Sequence, residues 1–212
     1  MATSWFDWAM SMHFYRPADG HGLPHDPFNA IVARRPIGWI GTRAADGRRN
    51  LAPYSFFNAF NYRPPIIGFA SIGWKDTVAN CAATGEFTWN LVSRPLLEQM
   101  NQTCAATDED EFERAGLLAA DSAEVAAPRV AAAGVNFECR VTQQLELTNL
   151  AGDGVGTWVT FGEVVAVHID EALLPDGIFD TAAALPMLRA GGPTAYFGVD
   201  PSTRVDLHRP RD

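Results

Sequence analysis

Apolar and polar residues alternate through Val135-Asn136-Phe137-Glu138-Cys139-Arg140-Val141-Thr142, the period of a strand with one buried face. Its companion runs from Trp158 to Ile169, joined through a loop that holds Gly152-Asp153-Gly154. Upstream, Ile37 to Thr42 reads as a strand that turns at Ala45-Asp46-Gly47. The chain returns through NLAPYSFF, where Pro53 confines it to a sheet edge or a bulge. Pro65 to Ala70 is a further strand, opened by two prolines that a helix interior does not accept, and Glu86 to Val92 is another.

Helical spacing is briefer. Val78, Cys81 and Ala82 follow an N-cap at Asp76 or Thr77 and stop at Gly85. Pro95 opens a second helix with Leu96, Leu97, Met100 and Cys104 on one face, and TDEDEFERAG passes from an acidic loop into a helical turn. The pattern predicts a mainly β fold of five or six strands with two or three short helices, a small closed or half-open barrel plugged at its ends. Regular strand-helix alternation and a GxGxxG turn are missing, which sets aside a doubly wound sheet.

Composition narrows the class. The 212 residues are 47% hydrophobic and 19% charged, without repeat or low-complexity linker, as expected of one globular domain over 1–212. Residues 1–30, rich in proline, glycine and histidine, read as an arm lying on a surface or a partner subunit. The net charge of -9 repels polyanions and argues against nucleic acid or an anionic membrane as partner. No apolar run is long enough to span a bilayer and MATSWFDWAMSMHFYRP is not a secretory leader, so a soluble, cytoplasmic protein is expected.

Side-chain catalysis finds no support. CxxC, HExxH, GxSxG and P-loop patterns are all missing, and the five histidines lack metal-ligand spacing. His21 and His25 are separated by Pro24 and read as loop decoration, while the three cysteines read as reduced core thiols. The expected catalytic and metal-ligating sets are therefore empty.

Two stretches do carry binding chemistry. In SIGWKDTVAN a helix starts beside Lys75, and its unpaired N–H groups, the lysine charge and the Thr77 hydroxyl together suit a phosphate. The same residues also suit an ordinary helix cap. Asn50, Ser55 and Asn58 flank the Pro53 break, where freed backbone groups could meet a flat heteroaromatic ring, or could belong to a bulged edge strand. Together, a phosphate seat and a polar-edged slot suit a mononucleotide cofactor.

The ordered pieces RPIGWIGT, DGRRNLAPYSFF, PPIIGF, KDTVANCAATGEF and GEVVAVHI resemble the flavin reductase-like FMN-binding split-barrel family. That family includes flavoredoxin and the reductase components of two-component monooxygenases such as that for nitrilotriacetate. The resemblance covers roughly 30–170, leaving 170–212 as a C-terminal extension. It implies a homodimeric split β-barrel that binds FMN, with FAD as the alternative, near the subunit interface, NADH or NADPH as hydride donor, and in some members a partner monooxygenase. Carried over by motif, Thr42, Asn50, Ala52, Pro53, Tyr54, Ser55 and Phe57 would line the flavin; Lys75, Asp76, Thr77 and Asn80 would surround its phosphate, with Arg35 a further anion contact.

The chain departs from the family in one place. A histidine that many members carry before the GEV strand is replaced here by Gly152-Asp153-Gly154 and Thr157, and His168, which follows the strand, is expected to be structural. Arg189-Ala190-Gly191-Gly192 and Tyr196 resemble a C-terminal region that approaches the flavin.

Overall fold

The computed structural model describes residues 11–105 and 109–210. One seven-stranded antiparallel sheet dominates, made of β2 (Gly38–Arg43), β3 (Arg49–Tyr54), β4 (Phe57–Tyr62), β5 (Pro65–Ile72), β6 (Glu86–Asn90), β9 (Val135–Thr148) and β10 (Gly154–Ile169). Their order is β3-β2-β6-β9-β10-β5-β4. The sheet curls without closing, so β3 and β4 remain as its edges. β1 (Arg35–Pro36), β11 (Met187–Arg189) and β12 (Tyr196–Gly198) form a small sheet beside it, and β7 (Ala119–Ala120) pairs with β8 (Arg129–Val130). The helices are α1 (Phe28–Ile31), α2 (Asp76–Thr84), α3 (Leu97–Gln102) and α4 (Glu111–Arg114).

The fold is therefore mainly β with short helices, as the alternation predicts, and it is the half-open form of the expected barrel. NLAPYSFF is not one returning strand. It divides at Ser55-Phe56 into β3 and β4, which run to opposite margins of the sheet. The bend is held by Arg35, whose Nε donates to the Ser55 carbonyl at 3.0 Å.

Strand β2 shows how two cores are built on one element. Side chains alternate across a strand, so Trp39 and Ile40 point to opposite faces, and both are fully buried. Trp39 enters a cluster with Leu51, Leu96, Met100 and Phe112, which α3 and α4 bring over the outside of β3. Ile40 enters the barrel interior with Phe69, Cys81, Phe87 and Cys139. Each such side chain contributes about 1.5–3 kcal/mol by leaving water. Inside the barrel, Gly162 leaves room for Phe87: a Cβ there would lie 2.3 Å from the Phe87 ring.

Three expectations need correction. Helix α2 is N-capped by Lys75 rather than Asp76 or Thr77, and no side chain caps its first turn, because the Thr77 hydroxyl turns inward. Gly85 does end it, at φ 71°, in the left-handed region that glycine adopts freely. Cys104 is exposed, lying past the end of α3, whereas Cys81 and Cys139 are buried. Finally, the polar face of β9 is covered as well: Asn136 and Glu138 are buried because the segment between β7 and β8 folds over them.

Candidate functional site

The edge strand β3 and the first turn of α2 meet across a cavity of about 610 Å³. Of the residues singled out from the sequence, Asn50, Ala52, Pro53, Tyr54, Lys75, Asp76 and Thr77 line it. Asn80 borders a smaller adjoining space of about 180 Å³. Thr42 lies behind the wall, fully buried, with its Oγ1 accepting from Asn50 Nδ2 at 3.2 Å and Asn80 Nδ2 at 3.0 Å. Asn50 Nδ2 also donates to Thr77 Oγ1 at 2.8 Å, so one amide ties β2, β3 and α2 together.

Tyr54 extends this network. Burial pushes its phenol above the ordinary range against opposing hydrogen bonds with Thr77 and Ser71, so the hydroxyl stays protonated at neutral pH. Lys75 and Asp76 are exposed at the rim, where the α2 first turn opens without a side-chain cap. The Lys75 ammonium makes no hydrogen bond or ion pair with any described residue, while its carbonyl accepts the Ala79 N–H at 2.9 Å. A helix start of this kind presents backbone donors and partial positive charge.

Arg35, Ser55 and Phe57 stand apart from the cavity. Arg35 gives its guanidinium to the carbonyls of Ser55 at 3.0 Å, Asn29 at 2.7 Å, Ala190 at 3.5 Å and Val32. Burial, with Arg189 nearby, lowers its pKa. Phe57 stacks on Trp89, with ring centroids 5.6 Å apart. These residues shape the bend between β3 and β4, and Asn58 there is exposed.

Sequence reasoning missed one whole wall. Thr103, Cys104, Ala105 and Glu111 complete the cavity. Thr103 is placed by Trp39, whose Nε1 donates to its Oγ1 at 3.0 Å. Glu111 reaches the edge strand, its Oε2 accepting from the Leu51 N–H at 3.2 Å. No local pattern marks these residues; the signal lies in the buried Trp39 and Phe112, which pull α3 and α4 onto the edge.

His168 is a structural histidine here. Its Nε2 lies 2.5 Å from Oε1 of Glu138, which is fully buried and also accepts the N–H groups of Ala123, Glu124 and Val125. Arg189 binds the carbonyls of Gly192, Pro193 and Ala195 and lies 4.8 Å from the centroid of the Tyr196 ring. Neither Arg189 nor Tyr196 lines the cavity, although Tyr196 borders a separate space near Asn101.

Residues 33–189 match the model of the flavin reductase like domain. The chain belongs to the flavin reductase-like family. A relative from Aquifex aeolicus of uncharacterised function is 35% identical over 155 residues, covering 70% of this chain and 76% of its own. Nitrilotriacetate monooxygenase component B from Bacillus cereus superposes with a TM-score of 0.82 at 24% identity, over 93% of this chain and 100% of that one. The 2-nitrobenzoate 2-nitroreductase of Pseudomonas fluorescens gives a TM-score of 0.75 at 27% identity, over 86% and 88%. Family membership supports a flavin-related oxidoreductase in general terms and gives the half-open sheet its name, a split barrel.

Proposed function

We propose that the protein is an FMN-binding oxidoreductase, an NAD(P)H-dependent flavin reductase or the reductase component of a two-component monooxygenase, acting as a homodimer. The observation that carries this reading is the uncapped first turn of α2, with Lys75 beside it, opening onto the 610 Å³ cavity. That volume lies within the range of about 300–1,000 Å³ that small-molecule sites occupy. The donor set also fits, since three first-turn N–H groups and an unpaired ammonium are what a phosphate dianion requires.

In this reading Lys75, Thr77 and the α2 backbone hold the phosphate, with Asp76 and Asn80 at its margin. Asn50, Ala52, Pro53 and Tyr54 line the ring system, while Arg35, Thr42, Ser55 and Phe57 hold the edge strand in shape behind them. A bound flavin supplies the hydride and single-electron chemistry. The chain contributes position, a dry wall and fixed dipoles. FAD is the alternative flavin. A second copy is suggested by large apolar groups left in solvent on the strands, such as Tyr62 at 79% and Ile72 at 66% exposure. The single-domain boundaries 1–212, with an arm before residue 30 and an extension after 170, belong to the same proposal.

One observation favours a second reading, an FMN-bound electron carrier of flavoredoxin type with no nicotinamide site. Among the described residues no histidine lines the cavity, and His168 is engaged by Glu138. Steady-state oxidation of NADH or NADPH with added flavin separates the two. Turnover supports the reductase. Reduction only by another redox protein supports the carrier.

A further inference from the structure

Glu111 lines the same cavity as Lys75, and its carboxylate is not free to leave. It belongs to α4, which is seated by fully buried Phe112 and capped by Asp110, whose Oδ1 accepts from Phe112 N at 2.9 Å and Glu113 N at 3.3 Å. Turning Glu111 away would also cost Leu51 its hydrogen-bond acceptor on the open edge of β3. Glu111 borders both the larger cavity and the adjoining one, as do Asn50 and Asp76.

The charges that face it are mostly negative or already spent. From β3, Arg49 is held by Asp110 at 2.6 Å and Glu113 at 3.4 Å, and stacks over Phe112. Arg48 is paired with Asp46 at 2.8 Å. From α2 come Lys75 and Asp76; from the end of α3, the Cys104 thiol. Lys75 thus stands against Glu111 and Asp76. Burial raises the Glu111 pKa, hydrogen bonds from its own N–H and that of Leu51 lower it, and the charges of Asp110 and Asp76 raise it again, with a net rise.

We infer that Glu111 sets the charge preference of this cavity: its carboxylate opposes a phosphate on the α2 first turn, so a phosphorylated ligand enters together with a proton and exchanges readily. The inference rests on the flavin reading of the cavity. It deepens that reading by making the flavin an exchangeable substrate more than a permanent group. Two like charges held in a partly desolvated space repel by several-fold more than in bulk water. A proton shared between carboxylate and phosphate removes that repulsion; without it, the anion is bound weakly. The ring system, which is uncharged, does not feel the carboxylate in this way.

FMN and riboflavin share their ring system and differ by the phosphate, so they isolate the effect. Each is titrated into the full chain at about pH 8, where the carboxylate and a free phosphate are both ionised. In the Glu111→Gln variant, which keeps an acceptor for Leu51, FMN binding tightens about tenfold while riboflavin binding stays within about twofold. The unaltered protein gives an independent reading by calorimetry in buffers of different ionisation heat. There FMN binding takes up protons and riboflavin binding does not. Equal FMN affinity in the variant, equal tightening of both flavins, or no proton uptake with FMN each overturns the inference. If neither flavin binds the unaltered protein, the flavin reading itself has failed, and the inference with it.

Discussion

The side-chain amide of Asn50, on the edge strand, donates to the hydroxyl of Thr77 in the first turn of α2 at 2.8 Å. This bond joins the two halves of the candidate site, and Thr42 behind it accepts from the same amide at 3.2 Å. Asn50→Asp keeps the shape but removes both donors and adds a buried negative charge. Loss of a satisfied buried group costs about 1–3 kcal/mol, so the urea midpoint falls and flavin affinity falls with it. A variant as stable as the parent, with full flavin affinity, would show that the amide does not organise the site.

Lys75 is expected to act on the phosphate and not on the ring. Charge-assisted hydrogen bonds contribute about 1.5–3 kcal/mol, so Lys75→Ala should weaken FMN binding by roughly 10- to 150-fold and leave riboflavin unchanged. Fluorescence titration measures both. Added salt should weaken FMN binding in the parent more than in the variant.

Glu138 ties a covering segment to the sheet, and its contribution is readable against pH. Burial alone would raise its carboxyl, but the N–H of Ala123, the His168 ring and the N–H of Glu124 outweigh it, and the net shift is downward from 4.5. A carboxylate with a lowered folded-state pKa stabilises above its unfolded value and loses that stabilisation as pH falls through the folded one. The melting temperature should therefore drop steeply below pH 4.5, and Glu138→Gln should flatten that drop. Glu138→Ala, which removes the acceptor altogether, should cost about 3–5 kcal/mol at neutral pH, since it leaves His168 and three N–H groups without their shared partner. His168→Ala should cost less and leave NAD(P)H-linked turnover, if present, intact. Loss of turnover with retained stability would contradict the structural assignment.

The cysteines give a map of exposure. Burial pushes the Cys81 thiol up to about 12 and raises Cys139 well above its ordinary range; it raises Cys104 too, but that thiol is exposed and lies at the cavity wall. One thiol of three should react with an alkylating reagent in the folded protein, and FMN should slow that reaction. Reaction of Cys104 at the same rate with and without FMN would place the ligand elsewhere.

How much of this was legible in the sequence depends on whether the deciding contact is local. The alternation from Val135 to Thr142 marks a strand because it is a property of consecutive residues. That pattern reports which side chains are apolar, not which faces are covered. Asn136 and Glu138 are buried by a segment that folds back from residues 121–130, and only the tertiary fold reveals it. The N-cap position failed for a similar reason: Thr77 is a fair capping residue, but Asn50, 27 positions earlier, claims its hydroxyl. On the site itself, Asn50, Lys75 and Thr77 were visible through chemistry and family resemblance. Thr103 and Glu111 were not, since they arrive on helices steered by Trp39 and Phe112.

A strand left at the margin of a sheet is a template for unwanted pairing with another chain. β3 is such a margin, and the outward backbone positions alternate along it. Leu51 spends its N–H on Glu111, and two residues further on Pro53 has none to offer. The strand can therefore stand open to a small molecule while offering a stray strand two fewer donors to pair with. The residues that shape the candidate cavity thus also guard this edge against pairing, and loosening α4 from it should show itself first as aggregation.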